Sequence, residues 1–395
     1  METRQEAVNK ILELQEKYKD LPKQGTKEWL ELRKTRFGGS ELEKLMKNQM
    51  SSLLKDKVYG AQFHGNTFTK HGKLFEQVGT KLIEIIYDTH VYEFASIPNE
   101  EYKVFSYSPD GLAVIKFKDK YYIVLVEIKS PFLTKPDKAI PLKYVPQVMS
   151  GMANFECVNI GLFVNVVYRV CSRNELDDPL AFNTKHHSKD NYPDGLEPTA
   201  VGYFKVYKTE KAVLEFNRFL SIVHKLSKMK VKCSDTEEDS GFHPDEFAYK
   251  PTDDQILLSS TILDLGSQDF DQSRILDMVE RKLLNFEFGN IYINKNIKDH
   301  HHPTKKSKEH YFRSYKNCAP LLYNDMVDAE METGDDEEFI GFYCFKVFEA
   351  DFIKVKKDEN YLHKLKDIFA SSEALLKSIM LDPDPIKKYE QMFKK

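Results

Sequence analysis

The sequence predicts a mixed α/β (α+β) fold: a central, mostly antiparallel sheet flanked by helices, with an insertion towards the C-terminus. Three observations predict it. Residues 105–132 read as a β-hairpin, because Leu112–Phe117 and Tyr121–Ile128 are β-branched and aromatic runs joined by the short polar connection Lys118-Asp119-Lys120. Residues 68–88 repeat Phe75, Val78, Leu82, Ile85 and Ile86 at helical spacing, and a further helix begins near Pro146. Residues 234–338 change composition, with an acidic stretch (Asp235–Asp245), a basic and histidine-rich stretch, and an acidic run (Asp325–Glu338).

The N-terminal 1–20 segment reads as an amphipathic accessory helix, with Val8, Ile11, Leu12 and Tyr18 on one side and Pro22 and Gly25 ending it. Thr26 then caps a short helix carrying Trp29, Leu32 and Arg33. Gly38-Gly39 breaks the chain, and Ser40-Glu-Leu-Glu43 reads as a capping box opening a second helix. A helix N-terminus flanked by Arg33, Lys34 and Arg36 is an anion site in physical terms. An ordinary helix connection with solvated basic residues fits the same letters. Residues 48–67, with Lys55 and Lys57, read as a loop or broken helix. His90–Ala95 and Glu101–Ser106 read as strands leading into the hairpin.

The hairpin carries the chemistry. Tyr121–Ile128 is apolar on both faces, as a central strand is, until Glu127 and Lys129 interrupt it. The two share a face, because side chains alternate along a strand. Asp110 lies in a turn between Pro109 and Gly111 at the mouth of the partner strand. Two carboxylates can hold a hard cation such as Mg²⁺ through oxygen, and a lysine beside them can orient a water or offset phosphoryl charge. A Glu–Lys pair on an exposed edge strand is the plainer reading. It explains poorly why a Val-Leu-Val run should end in two charges pointing one way.

The remaining segments are less telling. A loop at Thr134–Lys138 leads to the helix near Pro146, with Gln147 in its first turn. Asn159–Val170 reads as a strand whose Arg169 can be drawn facing a polyanion. Tyr192-Pro-Asp-Gly-Leu196 repeats the letters around Asp110, but no Glu-x-Lys ends a strand after it, so it reads as a turn. Val201–Tyr207 with a helix over 209–229, and Phe339–Val355 with a helix over 359–380, look alike and read as two edge strands with packing helices. A helix is expected near 271–285. The three histidines His300–His302 diverge as neighbours and read as solvated loop, and Tyr311, Phe312 and Tyr315 beside basic residues can stack on bases or lie on a charged surface. The domains read as 1–25 accessory helix, 26–232 core, 233–338 insertion and 339–395 C-terminal strand and helix.

Composition sets outer limits. The 395 residues are 41% hydrophobic and 30% charged, with a net charge of −4, so any polyanion must be met by a local basic lining. No apolar run reaches a membrane span, and Met1–Glu6 lacks the features of a signal peptide. Five cysteines without Cys-x-x-Cys spacing argue for a reducing compartment and against a zinc site.

Pro-Asp-(spacer)-Glu-x-Lys resembles the signature of the PD-(D/E)XK nucleases. The flanks Ser108-Pro-Asp-Gly-Leu112 and Val126-Glu-Ile-Lys-Ser-Pro-Phe132 resemble the active-site blocks of phage lambda exonuclease and of the YqaJ-like and alkaline exonucleases of phages and large DNA viruses. The resemblance covers roughly residues 26–170. It implies a restriction-endonuclease-like core and a metal-dependent 5′-to-3′ exonuclease on linear double-stranded DNA ends, leaving 3′ single strands for recombination, repair or viral genome processing. It implies that Asp110, Glu127, Lys129 and Gln147 are catalytic, and that Glu76, Asp110, Glu127 and the carbonyl of Ile128 hold one or two Mg²⁺ ions, with Mn²⁺ as a substitute. Periodicity alone leaves the direction of Glu76 open. It implies a 5′-phosphate site at Arg33, Ser40 and Arg36; Gly38-Gly39 departs from the phage enzyme's letters there. It also implies a toroidal homotrimer, a single-strand-annealing partner and the host cytoplasm. A structure-selective endonuclease of the same superfamily and a non-catalytic DNA-end-binding protein are the alternatives; four intact residues, Glu76, Asp110, Glu127 and Lys129, speak against the latter.

Overall fold

The computed structural model describes residues 3–60, 65–132, 138–185, 198–214, 217, 221, 263–294, 312–313, 315–333 and 338–393. The predicted hairpin is β5 (Gly111–Phe117) and β6 (Lys120–Lys129), paired antiparallel from Gly111↔Val126 to Phe117↔Lys120. Lys118 turns the chain at φ 55°. From β6 the chain passes through α6 (Val145–Ala153) to β7 (Ile160–Cys171), which lies parallel to β6. That crossover helix is what a parallel pair requires.

The sheet extends on both sides of this pair. β2 (Val91–Tyr92) adds antiparallel to β5; β12 (Phe339–Lys356), β8 (Ala200–Lys208) and β10 (Leu284–Asn294) continue antiparallel beyond β7, and β11 (Phe312–Arg313) closes that edge. β9 (Leu263–Asp264) pairs with β12. A small separate sheet joins β1 (Phe37–Gly38), β4 (Phe105–Tyr107) and β3 (Ile97–Pro98).

Helices cover both faces. On one, α5 (Thr67–Tyr87) packs Phe75, Val78, Leu82 and Ile86 on Val124, Val126 and Ile128 of β6, with α7 (Gln272–Glu280) alongside. On the other, α1 (Arg4–Tyr18), α3 (Leu42–Met46), α4 (Met50–Tyr59), α6 and α9 (Glu359–Met380) meet Ile123 and Leu125. The short α2 (Lys27–Lys34) is capped by Thr26, whose hydroxyl accepts the Trp29 N–H at 3.2 Å as its position before the helix predicts. Alternation in β6 sends Glu127 and Lys129 towards the α6 side. Farther along that face, α8 (Tyr315–Glu332) buries Leu322 and Met326 on Val167, Val201 and Phe342.

Several expectations need correction. Leu12 is 47% exposed; Ala7 and Ile11 are buried, with Leu14 and Tyr18 beside them, and Leu12 lies a 100° step from that stripe. Residues 50–59 form the helix α4, because Leu53 and Leu54 have a core to enter and Gly60 caps it at φ 67°. The expected capping box at Ser40 is absent: Gly39–Glu41 is a 3₁₀ turn, and the carboxylate of Glu41 accepts from the Gly38 N–H at 2.7 Å. The strands before the hairpin are shorter than expected. The 271–285 helix ends at Glu280, and β10 begins at Leu284. β8 and β12 are interior strands, since Phe204 and Phe345 face one core while Val201 and Phe342 face the other. Arg169 is 1% exposed and donates to the Tyr168 carbonyl at 2.8 Å, so it meets no polyanion at the surface. Tyr192–Leu196, Asp235–Asp245 and His300–His302 lie outside the described residues. No described helix is long and apolar enough to cross a membrane.

Candidate active site

Residues of β4, β5, β6 and α6 meet at the end of the hairpin. Glu127 is 1% exposed and holds three donors. Lys129 Nζ and Gln147 Nε2 each donate to its Oε1 at 2.5 Å, and the hydroxyl of Tyr107 donates to its Oε2. Asp110, at the start of β5, accepts the Ile128 N–H at 2.5 Å. Gln147 reaches Glu127 because Val145-Pro146 starts α6 directly beneath β6, and proline suits that first turn.

Close approach of the elements depends on small residues. A Cβ at Gly79 would lie 2.6 Å from Cγ2 of Ile128, so glycine lets α5 sit against β6 and brings Glu76, one turn earlier, to the same end. Gly39 and Gly151 both face the Tyr107 ring, where a Cβ would lie 2.6 and 2.5 Å away. Gly39 thus makes room for the tyrosine that holds Glu127.

The electrostatics are those of crowded carboxyls. Loss of water raises the pKa of Asp110 well above the ordinary range, and the charges of Glu127 and Glu76 push it further. Glu76 is raised for the same first reason and by Glu127, against the pull of Lys129. Burial works against the Lys129 ammonium, but Glu127 and Asp110 outweigh it and raise its pKa, so it stays charged. Tyr107 is raised well above its usual value by burial and by Glu127, and stays a donor.

Lys129 is the ammonium that acts on all three carboxyls, and Lys73 acts on Glu76 as well. Among the described residues no three His, Cys, Asp or Glu side chains already surround a common point. The donors are nonetheless hard oxygens short of positive charge, which suits a divalent cation such as Mg²⁺.

Glu76, Asp110, Ile128 and Lys129 line a cleft of about 3580 Å³, and Glu127 lies buried beside it. Lys27, Lys73, Lys143 and Lys282 also line it, a local basic lining on a chain of net charge −4. Arg33 is on the wall, its guanidinium 4.9 Å from the Trp29 ring centroid, one helical turn away. Ser40 and Arg36 do not line the cleft. The Gly38 N–H at that turn is taken by Glu41, and Lys57 Nζ binds the carbonyls of Arg33 and Arg36 at 3.2 and 2.6 Å. The sequence reading missed Tyr107, although it stands three residues before Asp110 in the same block. It also missed Tyr144, whose ring centroid is 5.4 Å from Lys129 Nζ, and Asn165, which is paired in register with Lys129.

Residues 28–156 match the protein family described as the YqaJ-like viral recombinase domain. That span contains every hairpin residue named above, and the likeness to YqaJ-like viral exonucleases read from the motifs is borne out. A curated protein of African swine fever virus (isolate Tick/Malawi/Lil 20-1/1983) is 28% identical over 226 residues, 49% of this chain and 63% of that protein. The uncharacterized protein R354 of Acanthamoeba polyphaga mimivirus is 23% identical over 378 residues, 91% of this chain and again 63% of the relative. The chain thus spans less than two thirds of the length of these curated relatives. The alkaline exonuclease LHK-Exo of Laribacter hongkongensis, at 24% identity, superposes over 36% of this chain and 74% of its own with a TM-score of 0.29, too loose to carry an argument.

Proposed function

We propose that this chain is a metal-dependent deoxyribonuclease, a 5′-to-3′ exonuclease acting on ends of linear double-stranded DNA and leaving 3′ single strands. The observation that carries the reading is the meeting of Glu76, Asp110, Glu127, Lys129 and Gln147 at one strand end in a cleft with a basic lining. At about 3580 Å³ the cleft exceeds the roughly 300–1000 Å³ of small-molecule sites, which favours a polymer. The family match over residues 28–156 supports the same class.

In this reading Glu76, Asp110, Glu127 and the Ile128 carbonyl hold one or two Mg²⁺ ions, with Mn²⁺ as a substitute. When bound, the metal supplies Lewis acidity to the phosphate and to the attacking water. Lys129, kept charged by Glu127 and Asp110, donates to that water and offsets charge growing on the phosphate. Tyr107 and Gln147 keep the Glu127 carboxylate in one orientation. Arg33 takes the terminal phosphate; with Ser40 and Arg36 off the cleft wall, the phosphate site rests on Arg33. A ring-shaped homotrimer, a strand-annealing partner and action in the host cytoplasm belong to the same proposal.

The test uses linear duplex DNA with a labelled strand, 5′-phosphorylated or 5′-hydroxyl, beside a closed circle, in Mg²⁺ or EDTA. Only the linear DNA should shorten, in Mg²⁺ alone and faster with the phosphate. Lys129→Ala should lose about a hundredfold or more in rate. Equal cutting of the circle would make the protein an endonuclease; binding of ends without cutting would make it an end-binding protein.

A further inference from the structure

We propose that Lys118, Lys120, Lys354 and Lys356 form a second site for double-stranded DNA, apart from the cleft, which holds the phosphate backbone away from an end. The choice of DNA as the polyanion rests on the nuclease reading above. Lys118 and Lys120 stand at the hairpin tip, and Lys354 and Lys356 at the end of β12. The fold brings the two segments together, with Lys354 Nζ 4.0 Å from the centroid of the Phe117 ring. Lys354 and Lys356 share a face of their strand. Lys118, Lys120 and Lys356 are exposed. Lys120 and Lys129 are opposite ends of β6, so roughly 30 Å of strand separates the tip from the carboxylates. None of the four lysines lines the cleft.

Exposed lysines are ordinary; ammonium groups gathered against one another are not. Burial lowers the pKa of Lys354, and the charges of Lys356 and Lys118 lower it further. Among the described residues none of the four forms an ion pair, whereas Lys10, Lys17, Lys34, Lys47 and Lys366 each meet a glutamate. Asp358, two residues beyond Lys356, caps α9 through the N–H groups of Asn360 and Tyr361 at 2.9 and 3.2 Å. Asp119, between Lys118 and Lys120, is exposed and leaves the patch net positive. The turn itself does not ask for a lysine, because Lys118 sits at φ 55°, where glycine or asparagine is the usual residue. The ring of Phe117 steadies the Lys354 ammonium without neutralising it. A chain with 62 acidic residues against 58 lysines and arginines thus keeps one corner of its sheet positive. The closely spaced phosphates of a duplex supply the countercharge, and a long duplex extends well beyond a cleft that takes its end.

A short duplex closed at both ends by hairpin loops tests this, because it offers backbone and no end. Binding to the full chain is followed by fluorescence anisotropy in EDTA, from low to physiological salt. Lys118→Gln, Lys120→Gln, Lys354→Gln and Lys356→Gln together should weaken binding about tenfold or more at low salt, and should flatten log K against log salt by about 0.9 for each lost contact. The four corresponding arginine substitutions should keep both affinity and slope. The glutamine variant should still shorten a short open duplex in Mg²⁺ at the wild-type rate. Unchanged affinity and slope in the glutamine variant overturn the site. Loss of binding in the arginine variant overturns it too, since the charge is kept, as does a wild type that ignores the closed duplex. Those results leave the nuclease reading intact when the wild type cuts open DNA; a wild type that binds the closed duplex through these lysines and never cuts overturns the nuclease reading alone.

Discussion

At the scale of single residues, a buried carboxylate is tolerable only when its charge is answered, and Glu127 is answered three times, by Lys129, Gln147 and Tyr107. His71 shows the opposite solution. Its ring is 1% exposed, packed 4.6 Å from Phe75 and 5.0 Å from Phe132, and burial lowers its pKa to about 3. The unfolded chain takes that proton near the ordinary 6.5. The folded-state pKa is depressed, so the stability conferred by neutral His71 is intact above the unfolded value and is lost as pH falls towards the folded one. The slope is about 1.4 kcal/mol per pH unit for one such group. Thermal melts between pH 7 and 4 should therefore fall more steeply for the wild type than for His71→Phe, and parallel slopes would show that another group governs acid unfolding.

At the scale of elements, the site exists because two helices and two strands approach more closely than ordinary side chains allow. Gly79 against Ile128 sets the distance of α5 from β6, and Gly151 against Tyr107 does the same for α6. Gly79→Ala should cost about 1–3 kcal/mol through overpacking, and it should slow DNA cleavage by moving Glu76 outward. Adding Ile128→Ala, which removes the obstructing methyl and leaves the backbone carbonyl, should restore part of both. Melting temperature and cleavage rate of the single and double variants check this; a fully additive double variant would mean that the two side chains do not oppose one another.

At the scale of the whole molecule, the stretch read as an insertion by composition supplies β10 to the main sheet and α7 to the face that carries α5. Charge is distributed on the same scale, with an acidic total and a basic cleft lining. Binding to linear DNA should therefore weaken steeply with salt. Log K should fall by about 0.9 per log salt for each phosphate contact, and Lys143→Ala should lower that slope by about one if it makes such a contact. Fluorescence anisotropy from low to physiological salt measures it; an unchanged slope would place the DNA elsewhere on the surface.

The hairpin, helix α5 and the start of α6 were legible in the sequence, because apolar period and turn chemistry act over a few residues. The pairing of Glu127 with Lys129 followed from strand alternation alone. What the neighbours of an element are was not legible. The helix at 50–59 forms because a core awaits Leu53 and Leu54, and β8 and β12 are interior because other strands flank them. Tyr107 and Gln147 meet on Glu127 from 20 residues to either side of it, and no local pattern records such a meeting. Local propensity determined which segments are strands and helices around the site. The packing of two helical layers on one sheet decided which side chains reach it, because burial and register are properties of contacts between segments distant in the chain.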